Sequence, residues 1–361
     1  MVDLITQYEK IKPAIDEAIL SVIQNAQFIN GPEVQNFQKE LEEYLEVKHV
    51  IPCANGTDAL QIALMSLDLV PGDEVITPSF TYIATTEVIA LLGLKPIFVD
   101  VDPATFCIDA TKIEAAITNK TKAIVPVHLY GQAANMNAIL AIAEKHNLAV
   151  VEDNAQALGS IYHLENGKVE KTGTLGNIGC TSFFPSKNLG CYGDGGALYT
   201  NDDALAEKIR MIANHGQKVK YYHEVVGCNS RLDSIQAAVL RIKLRQLDNY
   251  IDARRNVATY YDTVFGAISG VKIPFRSEDS KHVFHQYTVR IKGDRQQFSK
   301  KLLDSGSGND VYYPTEVHRL ESFRSPTVLS ETKSATNEVL SLPVHPGLTK
   351  RDLKRIGQMQ M

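Results

Sequence analysis

From Val50 onward the chain alternates between short apolar runs and segments of helical spacing, and this alternation restricts the possible folds more than any other feature. Apolar runs stand at Val50–Pro52, Glu74–Ile76, Pro96–Val101, Ala123–Val127, Ala149–Glu152, Cys180–Phe184 and Ala197–Thr200. Between most of them lie helical segments, Ala59–Leu67, Thr85–Leu92, Ala110–Ile117 and Met136–His146. Strand–helix–strand alternation on this scale predicts an α/β domain around a mostly parallel sheet, with the chemistry in loops beyond the strand C-termini. Ahead of it, residues 3–24 read as an amphipathic helix (Ile5, Tyr8, Ile11, Ile15, Ile19, Val22). After an Asn30-Gly-Pro turn, Glu33 to Leu45 resumes helical spacing. The polar stretch His163–Gly176 suits a surface hairpin.

A chain of 361 residues is longer than a single core usually serves. A long helical stretch, Leu232 to about Phe265, is expected to cross to a second unit. There His285–Ile291 and Val311–Tyr313 read as strands, and Gln296–Leu303 and Thr327–Leu340 as helices. The expected division is a large domain, 1–245, and a small C-terminal α/β domain, 246–361, whose final helix stops early at Gln358–Met361.

Charge and composition exclude several classes. A net charge of −5 gives no reason to expect a nucleic-acid partner. No apolar run approaches a transmembrane length and the N-terminus does not read as a signal peptide, so a cytoplasmic protein without membrane attachment is expected. The five cysteines have no C-x-x-C spacing and read as free thiols. His282 and His285 are the one close histidine pair, without the neighbours of a metal site, so no metal is expected.

Five stretches remain that can carry chemistry. In Thr181–Gly196 an apolar strand breaks at Pro185 and yields a loop with one lysine, Lys187, and four glycines. An ammonium close to a core loses hydration, its pKa falls, and the neutral amine becomes a nucleophile toward carbonyls; the alternative is a lysine that reaches solvent. Cys53–Leu60 follows a strand and opens a helix, with Gly56 and Thr57 placed either as an anion cradle or as a turn and cap. Asp153 stands just past a strand, either capping a helix or pairing with a cation in the cleft, and Gln156 follows it. Tyr82 offers a ring either to a cofactor face or to the core, and Asn229 and Arg231 sit two apart in a loop able to reach phosphates or carboxylates. An amine nucleophile, an anion cradle and a carboxylate together suit pyridoxal phosphate. No Walker A or G-x-G-x-x-G sequence is present.

These stretches together resemble the DegT/DnrJ/EryC1/StrS sugar aminotransferases, a branch of the fold type I (aspartate aminotransferase-like) pyridoxal-phosphate enzymes. The resemblance runs through Gly31–Val34, Asn55–Asp58, Pro78–Tyr82, Val125–Gly131, Glu152–Gln156, Ser182–Gly196 and Asn229–Asp233. It implies that Lys187 condenses with the aldehyde of pyridoxal 5′-phosphate and later shuttles a proton. It further implies that Asp153 pairs with the ring nitrogen and Gln156 bonds the ring hydroxyl. Gly56, Thr57 and Ser182 are then expected to hold the phosphate, and Tyr82 to stack on the ring. Asn229 would reach the neighbouring subunit's cofactor in a homodimer with shared sites. Arg231, Tyr312 and Tyr313 fall where the family contacts the sugar nucleotide. The implied reaction moves the amine of L-glutamate onto a UDP- or dTDP-linked keto-sugar, in making an amino sugar for surface polysaccharide, O-antigen or glycan.

Gln156, Asn55–Asp58 and the Gly193-Asp-Gly-Gly turn resemble members that aminate C3, since C4 enzymes tend to carry histidine for the glutamine. Tyr312, where members that handle uronic acids can carry histidine, suggests a neutral deoxysugar. The polar Ser305–Asp310 segment departs from the pattern ahead of the sugar-facing loop. Three rival readings stand beside this one. A keto-deoxysugar dehydratase on the same scaffold would have histidine in place of Lys187. A non-catalytic sensor would keep the fold without needing Lys187, Asp153 and Gln156 together. A dinucleotide oxidoreductase would need the missing glycine fingerprint.

Overall fold

The computed structural model describes residues 2–357. Two helices lead in. The first, α1 (Leu4–Asn25), is capped by the Asp3 carboxylate, which accepts the Thr6 N–H at 2.9 Å; α2 (Pro32–Leu45) starts on a proline at its first position. Then come β1 (His49–Cys53), α3 (Gly56–Met65), β2 (Glu74–Pro78), α4 (Ala84–Leu91), β3 (Lys95–Val99), β4 (Thr121–Ile124), α5 (Met136–His146), β5 (Ala149–Asp153), β6 (Ile161–His163), β7 (Val169–Lys171), β8 (Ile178–Ser182) and β9 (Gly196–Thr200). All seven predicted strands form one sheet in the order β1-β9-β8-β5-β4-β2-β3. Only β9 runs against its neighbours; β8, β5, β4, β2 and β3 pair in parallel. The polar excursion is the hairpin β6–β7.

The sheet is buried on both faces by separate apolar layers. One gathers Leu60, Ala63, Val88, Val151, Cys180 and Ile209; the other gathers Ile76, Phe80, Val101, Ile124, Met136 and Ile139. The expected helix at Ala110–Ile117 is instead two short 3₁₀ turns, Ala110–Lys112 and Glu114–Ala116. Only Ala110 and Ile113 of that stretch are buried, too small an apolar face to hold an α-helix against the sheet. A helix the sequence reading passed over, α6 (Asp203–Ala213), begins at an Asp202 cap and buries Ala206, Ile209 and Ile212.

After the hairpin β10 (Gln217–Val219) and β11 (Tyr222–His223), the expected long helix is two, α7 (Ser234–Leu244) and α8 (Leu247–Phe265). The packing changes partner within α8, after Leu247 and Ile251, which still join the core of α7. Ala237, Leu240 and Leu244 join Phe37 and Leu41 of α2, whereas Val257, Tyr261 and Phe265 pack on the C-terminal sheet. That sheet, β12 (Val271–Lys272), β13 (Tyr287–Ile291) and β14 (Val339–Leu342), is antiparallel in the order β12-β13-β14. It carries α9 (Arg295–Asp304), α10 (Ser330–Glu338) and α11 (Lys350–Gly357). Val311–Tyr313 is not a strand: only Asp310 bridges to Ser341, and β14 takes the place beside β13. The following tyrosines turn toward the large sheet, where both pack against its second apolar layer. The expected helix Thr327–Leu340 correspondingly ends at Glu338. Gln358–Met361 lies outside the described residues.

Candidate active site

Because β1, β2, β4, β5 and β8 point the same way, the loops after them open on one edge of the sheet. At β1 that loop is an anion cradle. Asn55 caps α3, its side-chain oxygen taking the Asp58 N–H at 2.8 Å. The N–H groups of Gly56 and Thr57, first in the helix, have no intrahelical acceptor. A Cβ on Gly56 would lie 2.6 Å from the Ser182 Cβ, and one on Gly196 would lie 2.4 Å from the Asn55 carbonyl carbon. Only glycine lets the helix start, the end of β8 and the start of β9 close this tightly. The Ser230 hydroxyl accepts the Ala54 N–H at 3.1 Å and donates to the Asp58 carboxylate at 2.6 Å, tying the 229–231 loop to the same cradle.

Asp153 ends β5 and is 6% exposed. Thr85 Oγ1 donates to its Oδ2 at 2.8 Å and the Ala155 N–H to its Oδ1 at 3.2 Å. Gln156 is held at both ends: its Oε1 accepts the Tyr130 N–H at 2.7 Å and its Nε2 donates to the Tyr313 hydroxyl at 3.0 Å. Tyr313 in turn lies 6.1 Å from the Tyr82 ring, centroid to centroid. Tyr82 is 58% exposed, a ring with one face free rather than a core filler. The Tyr312 carbonyl accepts the Tyr130 hydroxyl, and the Val317 N–H donates to the Ser79 carbonyl at 3.1 Å. The tyrosine segment is thereby pinned to the loop that carries Tyr82.

Lys187 follows β8 in a tight turn, its N–H donating to the Phe184 carbonyl at 2.8 Å. Burial of the ammonium pushes its pKa down to about 8, against the opposing pull of the Asp153 charge. The loop that carries it is braced from beneath. Lys243, 1% exposed on α7, donates to the Gly190 carbonyl at 2.8 Å and lies 4.2 Å from the centre of the Tyr192 ring. Its own pKa is also pushed down to about 8 by burial.

On the reverse face, one residue before Asp153, Glu152 is fully buried with His128. Its carboxylate takes the His128 Nε2–H at 2.8 Å and the N–H groups of Gly173, Leu175 and Gly176 at 2.7, 2.7 and 2.6 Å. His128 Nδ1 accepts the Ala134 N–H at 3.1 Å, which fixes the proton on Nε2.

Gly56, Thr57, Ser182, Asp153, Gln156, Lys187, Tyr82 and Tyr313 therefore all lie in or beside the loops at this edge of the sheet, with Gly56 against Ser182, Lys187 in the field of Asp153, and Gln156, Tyr313 and Tyr82 in sequence. Asn229 and Arg231 are tied to it through the hydroxyl of Ser230 between them: the Asn229 side chain is exposed, Arg231 half-buried, and neither makes a side-chain hydrogen bond among the described residues. Sequence reading missed Thr85, Tyr130, Lys243 and His285. His285, whose Nδ1 is buried without a partner, is held neutral by burial and by the charge of Lys187. Thr85 stands one turn after Tyr82 and was within reach of a spacing argument; the others act across long sequence separations.

The residues fit pyridoxal phosphate on three structural grounds: a cradle that a Cβ would fill, an anchored carboxylate, and an amine of depressed pKa. Comparison with known proteins agrees. The chain is 48% identical over 354 residues to a pleiotropic regulatory protein of Geobacillus stearothermophilus, covering 96% of this chain and 94% of that one. It is 46% identical over 361 residues to the UDP-2-acetamido-2-deoxy-3-oxo-D-glucuronate aminotransferase of Pseudomonas aeruginosa, covering 98% and 97%. The crystal structure of S. venezuelae DesV in complex with a ketimine intermediate superposes with a TM-score of 0.95 at 38% identity, covering 99% of this chain and 96% of that one. The fold is that of the pyridoxal-phosphate-dependent aminotransferases, and the sequence profile of one family matches residues 9–359. The chain is a member of the DegT/DnrJ/EryC1/StrS aminotransferase family.

Proposed function

We propose that this enzyme transfers the amino group of L-glutamate to C3 of a UDP- or dTDP-linked keto-sugar, as a cytoplasmic homodimer with shared sites. The observation that carries the reading is Lys187: a loop lysine of depressed pKa, set against an anchored carboxylate at the mouth of an anion cradle. We divide the chain into a pyridoxal-phosphate domain, 1–245, and a small domain, 246–361.

Bound pyridoxal 5′-phosphate supplies an aldehyde for the amine and a ring that takes up electron density from the donor carbon. The Gly56 and Thr57 N–H groups and the Ser182 hydroxyl would hold its phosphate, with Asn229 reaching the phosphate in the neighbouring subunit. Asp153, fixed by Thr85 and Ala155, would pair with the ring nitrogen; Gln156 would bond the ring hydroxyl and Tyr82 would cover the ring. The Lys187 Nζ, part neutral close to its pKa of about 8, takes a proton from the donor's Cα and returns it to a neighbouring carbon. Arg231, Tyr312 and Tyr313 orient the sugar nucleotide.

The dimer reading is supported by apolar side chains left in solvent by the single chain, among them Ile5, Leu20, Phe28, Tyr221, Tyr222 and Val226. Among the described residues no helix is long and apolar enough to cross a membrane.

The test is the visible spectrum of the purified protein with pyridoxal phosphate, alongside Lys187→Ala. L-glutamate is expected to bleach the lysine-dependent band and one UDP- or dTDP-keto-sugar to restore it. A second reading, a ligand sensor, is favoured by the regulatory name of the Geobacillus relative; a band that glutamate leaves unchanged would select it. The same panel should hold a 3-keto uronate beside neutral 3-keto sugars. Tyr312 supports the neutral sugar and the Pseudomonas relative the uronate.

A further inference from the structure

One buried cation shares a cavity wall with Lys187 and pairs with no anion among the described residues. Arg254 on α8 is 4% exposed, and its Nη1 alone meets three carbonyls, those of Phe284 at 3.2 Å, His285 at 3.3 Å and Val344 at 2.5 Å. Its Nε is buried without a partner, and its Nη2 makes no hydrogen bond among the described residues. Burial lowers its pKa to about 10, and no neighbouring carboxylate opposes that fall. A guanidinium stripped of water and left without an anion is costly, and the edge it keeps free is the one that a carboxylate takes with two parallel hydrogen bonds.

Arg254 lines a cavity together with Lys187, Tyr250, His345, Gln7 and Lys10. The one acid on its wall, Asp3, is already engaged in capping α1. The His345 Nδ1 there is also buried and unpartnered. The phosphate cradle at Gly56 and the sugar-facing residues Arg231, Tyr312 and Tyr313 are not part of this wall. An anion bound here would therefore belong neither to the cofactor phosphate nor to the nucleotide, yet it would sit beside the amine that the donor must meet.

We propose that the free Nε–Nη2 edge of Arg254 binds a carboxylate of the amino donor, fixing a dicarboxylic amino acid against Lys187. This rests on the glutamate-donor reading above. The experiment compares the wild-type holoenzyme with Arg254→Lys, which keeps the charge but loses the fork, and with Gln7→Glu, which puts a competing carboxylate on the cavity wall without touching the buried packing of α8. Two quantities are measured: calorimetric binding of glutarate, an unreactive dicarboxylate, and the rate of the absorbance change with L-glutamate. Arg254→Lys is expected to weaken glutarate binding and raise the glutamate KM by about tenfold to a hundredfold, with the sugar-nucleotide KM unchanged. Gln7→Glu is expected to move the same two quantities severalfold, and it carries the test if Arg254→Lys does not fold. Glutarate affinity unchanged in the folded variants, or equal losses for donor and sugar nucleotide, overturns the site and leaves the donor reading standing. A wild type that binds glutarate through Arg254 but is not converted by L-glutamate overturns the donor reading and leaves the carboxylate site standing.

Discussion

Asp153 and Gln156 have every polar side-chain atom engaged within their own chain, whereas Asn229 and Arg231 have none engaged among the described residues. The first pair is placed before any ligand arrives, on a sheet whose strand ends meet across glycines. The second is left open, Asn229 exposed and Arg231 half-buried. The residues expected around the cofactor ring are fixed by the fold, while Asn229 and Arg231, expected at the phosphate and at the sugar nucleotide, sit on a loop that can vary without disturbing it.

This contrast can be broken in graded ways. Removing the amine by Lys187→Ala should abolish transamination, on the order of 10⁴-fold in single-turnover absorbance, with the melting temperature of the cofactor-free protein nearly unchanged. On the fixed side, Glu152→Ala strips three N–H groups and a histidine of their shared acceptor, and should cost about 3–5 kcal/mol in denaturant unfolding. Gly56→Ala should weaken pyridoxal phosphate binding by about tenfold or more, measured by equilibrium titration, because the new methyl meets Ser182. On the open side, Arg231→Ala should leave stability within about 0.5 kcal/mol and raise the sugar-nucleotide KM by about tenfold or more. A stability loss there as large as that of Glu152→Ala would erase the distinction.

A further effect is one of pH. Lys187 and Lys243 titrate close to 8 when folded and near the ordinary lysine value of 10.5 when unfolded. Between these values the unfolded chain holds protons that the folded one has released. The two lysines should therefore contribute stability that rises with pH from about 8 toward 10.5, against the opposite trend of the buried Cys53, Cys107 and Cys180 thiols, which burial pushes up, and Lys243→Met should make the net slope less positive. A slope unchanged between wild type and Lys243→Met would show that this ammonium is better solvated than its burial implies.

The sheet and most of the cofactor side were readable in the sequence because both are written in short range. An apolar run ending in Asp153, or in a proline, a lysine and glycines, marks a strand end and its loop within a dozen residues. What failed depended on distant partners. Val311–Tyr313 has the composition of a strand, yet Tyr130 and Gln156 claim its tyrosines, and Val339–Leu342 pairs with β13 instead. The break between α7 and α8 carries no glycine or proline, and Leu247 and Ile251 beyond it still join the core of α7, so the local sequence gives no sign of it. Arg254 and His285 show nothing locally; their surroundings come from α8, the segment before β13 and the segment after β14.

The lysine loop leaves the sheet at Ser182 and returns at Gly196, and these two residues are opposite each other in the β8–β9 ladder. Phe183 closes the next rung by donating to the Gly195 carbonyl at 2.7 Å, and the Cys191 N–H bonds back to the Phe183 carbonyl at 2.8 Å. Both feet of the loop thus stand on one rung, with Lys243 as a prop under Gly190. Mechanically this is a bracket bolted to the large sheet. Strain that reaches α8 or the C-terminal sheet during turnover has no lever arm through the backbone on the nucleophile, which can stay in register while the walls around it move.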